Sequence, residues 1–177
     1  MANMNTYTGH IFDPMHMTIE DVDTEDIAHA LSLLCRGGGH IQYFYSVGQH
    51  SINCCKEAMA RGYSKRVQLA CLLHDASEAY ISDIIRPVKV HLDNYLEIEN
   101  QIMTVILRKY HIDDLSEEEN YLWKDVDDSL LNYELKAMMA KEEDRLIQNI
   151  YSEPDVSEKE WRSVEEEFIQ LLQLYEK

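Results

Sequence analysis

Apolar residues recur at helical spacing through most of the chain. Ile27, Ala28, Leu31 and Leu34 form one stripe, with Thr24 as the expected N-cap and Gly37-Gly38-Gly39 as the stop. A second helix is expected over about 47–60, ending at Gly62. Ser64 caps a third, which carries LACLLH and is expected to reach about Tyr80. Its consecutive apolar residues predict burial on most sides. Pro87 then breaks the chain. A long amphipathic helix follows over about 91–109, with Leu92, Tyr95, Leu96, Ile102, Val105 and Ile106 on one side.

Two capping boxes are expected next. Ser116 with Glu119 opens a helix that is expected to run through Leu131 towards Leu146. Ser157 with Glu160 opens a C-terminal amphipathic helix over 157–177, with Trp161, Val164, Phe168, Leu171, Leu172 and Tyr175 at helical spacing. Residues 1–23 lack that periodicity and read as an extended entry segment. No alternating strand pattern stands out. The expected fold is all-α, one helical domain over 1–177.

Composition narrows the function classes. The 177 residues are 45% hydrophobic and 28% charged, as in ordinary globular domains. Sixteen Lys and Arg against 33 Asp and Glu give a net charge of −17. Such a chain lacks the basic footprint that nucleic acid or an anionic membrane requires, so neither is an expected partner. An anionic substrate would need a local reversal of the field, as a bound cation provides. Cys35, Cys54, Cys55 and Cys71 form no CxxC pair and read as reduced thiols of a cytoplasmic protein. The N-terminus has no signal-peptide pattern. No apolar run approaches the roughly 20 residues of a membrane span.

The chemistry concentrates around His74-Asp75, which follows a buried-looking apolar run. A buried carboxylate needs a partner, and a divalent metal supplies one. His50, on a separate helix, adds a second imidazole. A fourth ligand is sought in WKDVDDSLLNYE, among Asp125, Asp127 and Asp128. Asp127 shares its stripe with Trp123, Leu130, Leu131 and Glu134. Asp128 shares its stripe with Lys124, Asp125 and Asn132. The more apolar stripe favours Asp127 as the inward carboxylate, with Asp128 the alternative.

These residues give the chain its resemblance to the HD-domain phosphohydrolases, whose metal ligands run H…HD…D in chain order. His50, His74, Asp75 and Asp127 match that order. Within the family, the chain resembles the compact bacterial and phage group that includes the 5′-deoxynucleotidases. HDASEAYISDIIRPVK matches that group at Glu78, Asp83, Pro87, Val88 and Lys89; Arg36 and YSVGQHS match it upstream. The likeness covers about residues 6–140. Gly37 stands where the group carries Trp, which leaves the sugar preference open. Gln49 stands where Glu is common.

The resemblance implies a divalent ion (Mn²⁺, Co²⁺, Fe²⁺ or Zn²⁺) on His50, His74, Asp75 and Asp127, and a nucleotide as the small-molecule substrate. It implies proton exchange at Glu78 and positioning of water or a sugar hydroxyl by Asp83. Arg36 suits a phosphate, Lys89 adds positive charge, and His40 is expected to line the pocket. Arg86 reads as structural. Related proteins are often dimers, so a homodimer is expected. The expected activity is phosphate release from (deoxy)nucleoside 5′-monophosphates. Rival readings are a triphosphohydrolase or alarmone hydrolase on the same site, and a non-catalytic metal- or nucleotide-binding module. A Cys₂His₂ zinc site of His50, Cys54, Cys71 and His74 is a further rival at helical spacing.

Overall fold

The structure, a computed structural model, describes residues 3–141 and 149–175. It is all-α apart from one small hairpin. The helices are α1 (Thr24–Leu33), α2 (Val47–Ala60), α3 (Lys65–Leu73), α4 (Glu78–Ile81), α5 (Arg86–Lys89), α6 (Asp93–Lys109), α7 (Glu117–Met138) and α8 (Trp161–Gln173). Helix α2 is central and packs against α1, α3, α7 and α8. Ile27, Leu31, Ile52, Leu72, Leu73, Ile106, Phe168 and Leu172 meet in the main core, fully or almost fully buried. No described helix is long and apolar enough to cross a membrane.

The entry segment is more ordered than expected. Met4–Asn5 pairs antiparallel with Ile11–Phe12 as β1 and β2. Two-residue strands are too short to leave an alternating signature. The hairpin is tied down at its turn, where the Thr8 amide and hydroxyl donate to the buried Asp26 carboxylate at 2.7 and 2.9 Å.

Helix α1 is capped one residue earlier than expected, by Asp23, whose carboxylate accepts from the Glu25 and Asp26 amides. It ends at Leu33, before the glycines. The chain then folds back on itself: the Val47 amide donates to the Leu34 carbonyl, and the Arg36 amide to the Tyr45 carbonyl, both at 2.9 Å. This closure sets Arg36 beside Tyr45. Between them, Gly37, Gly38 and Gly39 take consecutive left-handed conformations (φ 62°, 61° and 77°). A Cβ disfavours such a run, so glycine is the residue it calls for.

Helix α2 starts at Val47 because Ser46 accepts from the Gln49 amide. At Gly48 it lies against α1 backbone; a Cβ there would sit 3.2 Å from the Leu31 carbonyl carbon and the Ser32 amide nitrogen. This close crossing fixes the height of α2 two residues before His50. Helix α3 is capped by Ser64 as expected but stops at Leu73 rather than near Tyr80. Turns at Ala76, Glu78 and Ala79 replace the helix and lead into α4. Glu78 therefore begins a new helix rather than following Asp75 along the old one.

Pro87 does not simply break the chain; it sits in the first turn of α5, where its missing N–H costs nothing. Ser116 and Glu119 form the expected capping box of α7. That helix ends at Met138, and the expected extension to Leu146 falls outside the described residues. The second expected box does not form. Ser157 bonds Asp155, and Glu160 itself caps α8 by accepting from the Arg162 amide.

Before α8, residues 150–157 run as a strap along a buried polar stripe of α2. Gln49 donates to the Asp155 and Ser157 carbonyls, and Asn53 to the Asp155 carbonyl. Glu57 accepts from the Tyr151 amide and from the Ser152 amide and hydroxyl. The stripe repeats every four residues, one face of the helix.

Candidate metal centre

His50 comes from α2, His74 and Asp75 from the turn that ends α3, and Asp127 from α7. Nε2 of His50 lies 3.2 Å from Nε2 of His74. Asp127 Oδ1 is 3.1 Å from the first of these and 3.6 Å from the second. Asp75 Oδ2 is 3.2 Å from His74 Nε2. His50 is fully buried, and the His74 side chain nearly so.

Each of the four has a further partner outside the group, which for Asp75 meets the same oxygen that faces His74. His50 Nδ1 is 2.9 Å from both carboxylate oxygens of Glu134. His74 Nδ1 donates to the Cys71 carbonyl at 2.7 Å. Asp75 accepts from Arg36 at 3.2 Å, and Asp127 accepts from Arg86 at 3.1 Å. Both imidazoles thus spend their Nδ1 protons on obligate acceptors. In the neutral rings, two Nε2 lone pairs and the Asp127 carboxylate then face one small volume, and Asp75 borders it through His74. Converging acceptors of this kind need a cation or added protons between them. Without a metal, protons answer that need: burial opposes charge on His74, but Asp75 and Asp127 raise its pKa well above the usual imidazole value. Two imidazoles and two carboxylates suit a divalent first-row ion. Outer partners of this kind orient the ligands of a metal.

The donors that lie within 4.8 Å of one another are those of His50, Cys54, His74 and Asp127, so Cys54 rather than Asp75 completes the tightest group. Its Sγ is 3.4 Å from His50 Nε2 and 3.9 Å from Nδ1. Such similar distances put the sulfur beside the ring rather than in line with the Nε2 lone pair. Cys71 meets His74 through its carbonyl and not its thiol. The Cys₂His₂ arrangement is therefore not assembled. Asp128 pairs with Arg86 at 2.8 Å and is exposed, while Asp125 pairs with Arg61.

Glu78 is 4% exposed, and its Oε2 has no hydrogen-bond partner. Burial, then the charges of Asp75 and Asp83, push its pKa up to about 9. Lys89 Nζ lies 3.8 Å from its Oε1 and also pairs with Glu99, so this lysine is held by two carboxylates. Asp83 is half-buried and accepts from the Gly37 amide; burial and Asp75 raise its pKa. Arg36 joins the Asp75 and Glu134 carboxylates. His40 is exposed and, among the described residues, bonds none of the four. Its expected place in the pocket is not supported by a contact.

Sequence reasoning missed two residues. Glu134 was legible only as a carboxylate on Asp127's apolar stripe, and Arg86 as a structural arginine. Their partners lie more than 40 residues away in the chain, so no local pattern could have named them.

Residues 44–177 match the HD-domain family model, and the chain belongs to that family. Two curated relatives are similar. One is the uncharacterized protein YfdR of Escherichia coli K12, 36% identical over 110 residues that cover 62% of this chain and 59% of YfdR. The other is an uncharacterized protein of Rhodobacter capsulatus, 36% identical over 105 residues that cover 56% of this chain and 53% of the relative. The match thus spans little more than half the length of either relative.

Proposed function

We propose that the chain is a metal-dependent phosphohydrolase that releases orthophosphate from (deoxy)nucleoside 5′-monophosphates. The observation that carries this reading is the convergence of His50, His74 and Asp127, with Asp75 against His74, together with a buried, unpartnered Glu78 oxygen. The HDASE-to-PVK likeness to the 5′-deoxynucleotidase group supports the choice of substrate.

His50, His74, Asp75 and Asp127 would hold the divalent ion, with Mn²⁺, Co²⁺, Fe²⁺ and Zn²⁺ all suited to the donor set. When bound, such an ion lowers the pKa of water and neutralises charge on a phosphoryl group. Burial, with the charges of Asp75 and Asp83, favours the protonated form of Glu78, which suits it to proton donation to the leaving 5′-oxygen. Asp83, anchored by the Gly37 amide, serves to accept from the attacking water or a sugar hydroxyl. Arg36 and Lys89 supply positive charge around an anionic substrate in a chain of net charge −17. Four free cysteines fit a reducing, cytoplasmic setting.

One observation favours a second reading. Arg86 is exposed and sits against Asp127. It adds a cation at the rim that the longer anion of a nucleoside triphosphate would use. A panel of deoxy- and ribonucleoside mono- and triphosphates separates the two readings. Orthophosphate from monophosphates, lost on chelation and in Asp75→Ala, supports the proposal. Triphosphate release from a triphosphate moves the assignment to the second reading. Silence across the panel with metal still bound leaves a binding module or another phosphoester.

A further inference from the structure

Glu134 is 1% exposed, far from the water a carboxylate ordinarily needs. Three groups satisfy it. His50 Nδ1 lies 2.9 Å from both of its oxygens, the Tyr45 hydroxyl donates to Oε1 at 2.6 Å, and Arg36 Nε is 3.5 Å from Oε2. Two of these lead to metal-ligand positions, His50 itself and, through Arg36, Asp75. The third leads outward: the Asn53 amide donates to the Tyr45 hydroxyl at 2.9 Å and to the Asp155 carbonyl of the strap at 3.0 Å.

We propose that Glu134 is the positioning residue of the metal centre, holding His50 with its Nε2 lone pair turned inward and Arg36 against Asp75, and that Tyr45 locks it in place. The inference rests on the metal-site reading of His50, His74, Asp75 and Asp127, but not on any substrate. Three features give it weight. Glu134 lies outside the four, yet its partners are or touch ligands from two different elements, α2 and the turn after α3. Its charge increases the electron density that His50 presents through Nε2. Its rotamer is fixed from a third direction by a phenol that is itself fully buried. Loss of an outer partner of a ligating histidine typically weakens metal binding about 10- to 100-fold.

The test is Co²⁺ affinity, read from the visible spectrum of the full-length protein without substrate. Wild type binding Co²⁺ at a single site supports the underlying reading; absence of binding overturns both. Glu134→Gln keeps an acceptor for His50 but removes the charge. A dissociation constant raised about 10- to 100-fold, with the unfolding midpoint of the metal-free protein little changed, is the expected result. An affinity within twofold of wild type overturns the proposal. If Glu134→Gln does not fold, Tyr45→Phe carries the test, since it deletes one donor and keeps the ring. Loss of one hydrogen bond corresponds to about a 2- to 10-fold weaker dissociation constant. Unchanged affinity in Tyr45→Phe would then overturn the proposal. Hydrolysis assays are a separate matter: a wild type that binds Co²⁺ but hydrolyses no nucleotide sinks the substrate assignment and leaves Glu134 testable.

Discussion

Nε2 of His50 and Nε2 of His74 face each other across 3.2 Å, each on a ring whose Nδ1 is already bonded elsewhere. Two neutral imidazoles so placed repel through their lone pairs, and Asp75 and Asp127 add negative charge to the same volume. The arrangement is stable only with positive charge between them. Chelation is therefore expected to lower thermal stability. At a free metal concentration about 100 times the dissociation constant, binding adds about 2.7 kcal/mol. For a chain of this size that corresponds to roughly 5–10 °C. Melting with and without EDTA checks this; identical curves in wild type would count against a folded-state site.

Glu78 is expected to matter for chemistry but not for metal binding. Glu78→Gln should cost about 10²- to 10⁴-fold in turnover with metal affinity retained. The same variant should alter the pH dependence of stability in the metal-free protein. The folded pKa of Glu78, about 9, exceeds its ordinary value of 4.5, so the folded state keeps a proton that the unfolded chain has released. Stability from this group thus falls as pH rises from about 4.5 to about 9. Urea midpoints from pH 5 to 9 should decline less steeply in Glu78→Gln; parallel profiles would refute the assignment.

The strap depends on Glu57. This carboxylate is fully buried and accepts from Arg61 Nε at 2.7 Å, the Tyr151 and Ser152 amides and the Ser152 hydroxyl. Glu57→Ala would leave Arg61 paired with Asp125 but the Tyr151 and Ser152 amides without their acceptor. The expected loss is about 3–5 kcal/mol by chemical denaturation, the scale for breaking a buried ion pair. Burial works to raise the pKa of Glu57, but these donors overcome it and lower the value. Its contribution is therefore present above the ordinary carboxylate range and lost as pH falls through the folded value.

Gly48→Ala tests the α1–α2 crossing. The added methyl would meet α1 backbone at 3.2 Å, where no flexible side chain can yield. A loss of about 1–3 kcal/mol is expected from such overpacking. Because His50 follows within a turn, weaker metal binding should accompany it. A neutral substitution would mean that the two helices separate more easily than their packing implies.

Local signals were legible where local chemistry decides the structure. Helix α2 falls within its expected bounds because Ser46 caps it and Gly62 stops it; the Ser116–Glu119 box behaves likewise. The stripe argument that favoured Asp127 over Asp128 agrees with their burial, since the apolar face of α7 is the one that packs. Other features depend on distant partners. The end of α3 at Leu73 was hidden because residues 74–80, HDASEAY, contain no glycine or proline to mark a stop. Ser157 was misread as a cap because Asp155 competes for it. Glu134 and Arg86 act through residues brought close only by folding.

The most direct measurement is the metal content of purified protein after reloading with Mn²⁺, compared among wild type, Asp127→Ala and Asp128→Ala. Asp127 faces both imidazoles, whereas Asp128 pairs with Arg86 at the surface. About one equivalent in wild type and Asp128→Ala, lost in Asp127→Ala, is the predicted result. Full retention in Asp127→Ala, or no bound metal in wild type, would contradict a centre built on His50, His74, Asp75 and Asp127.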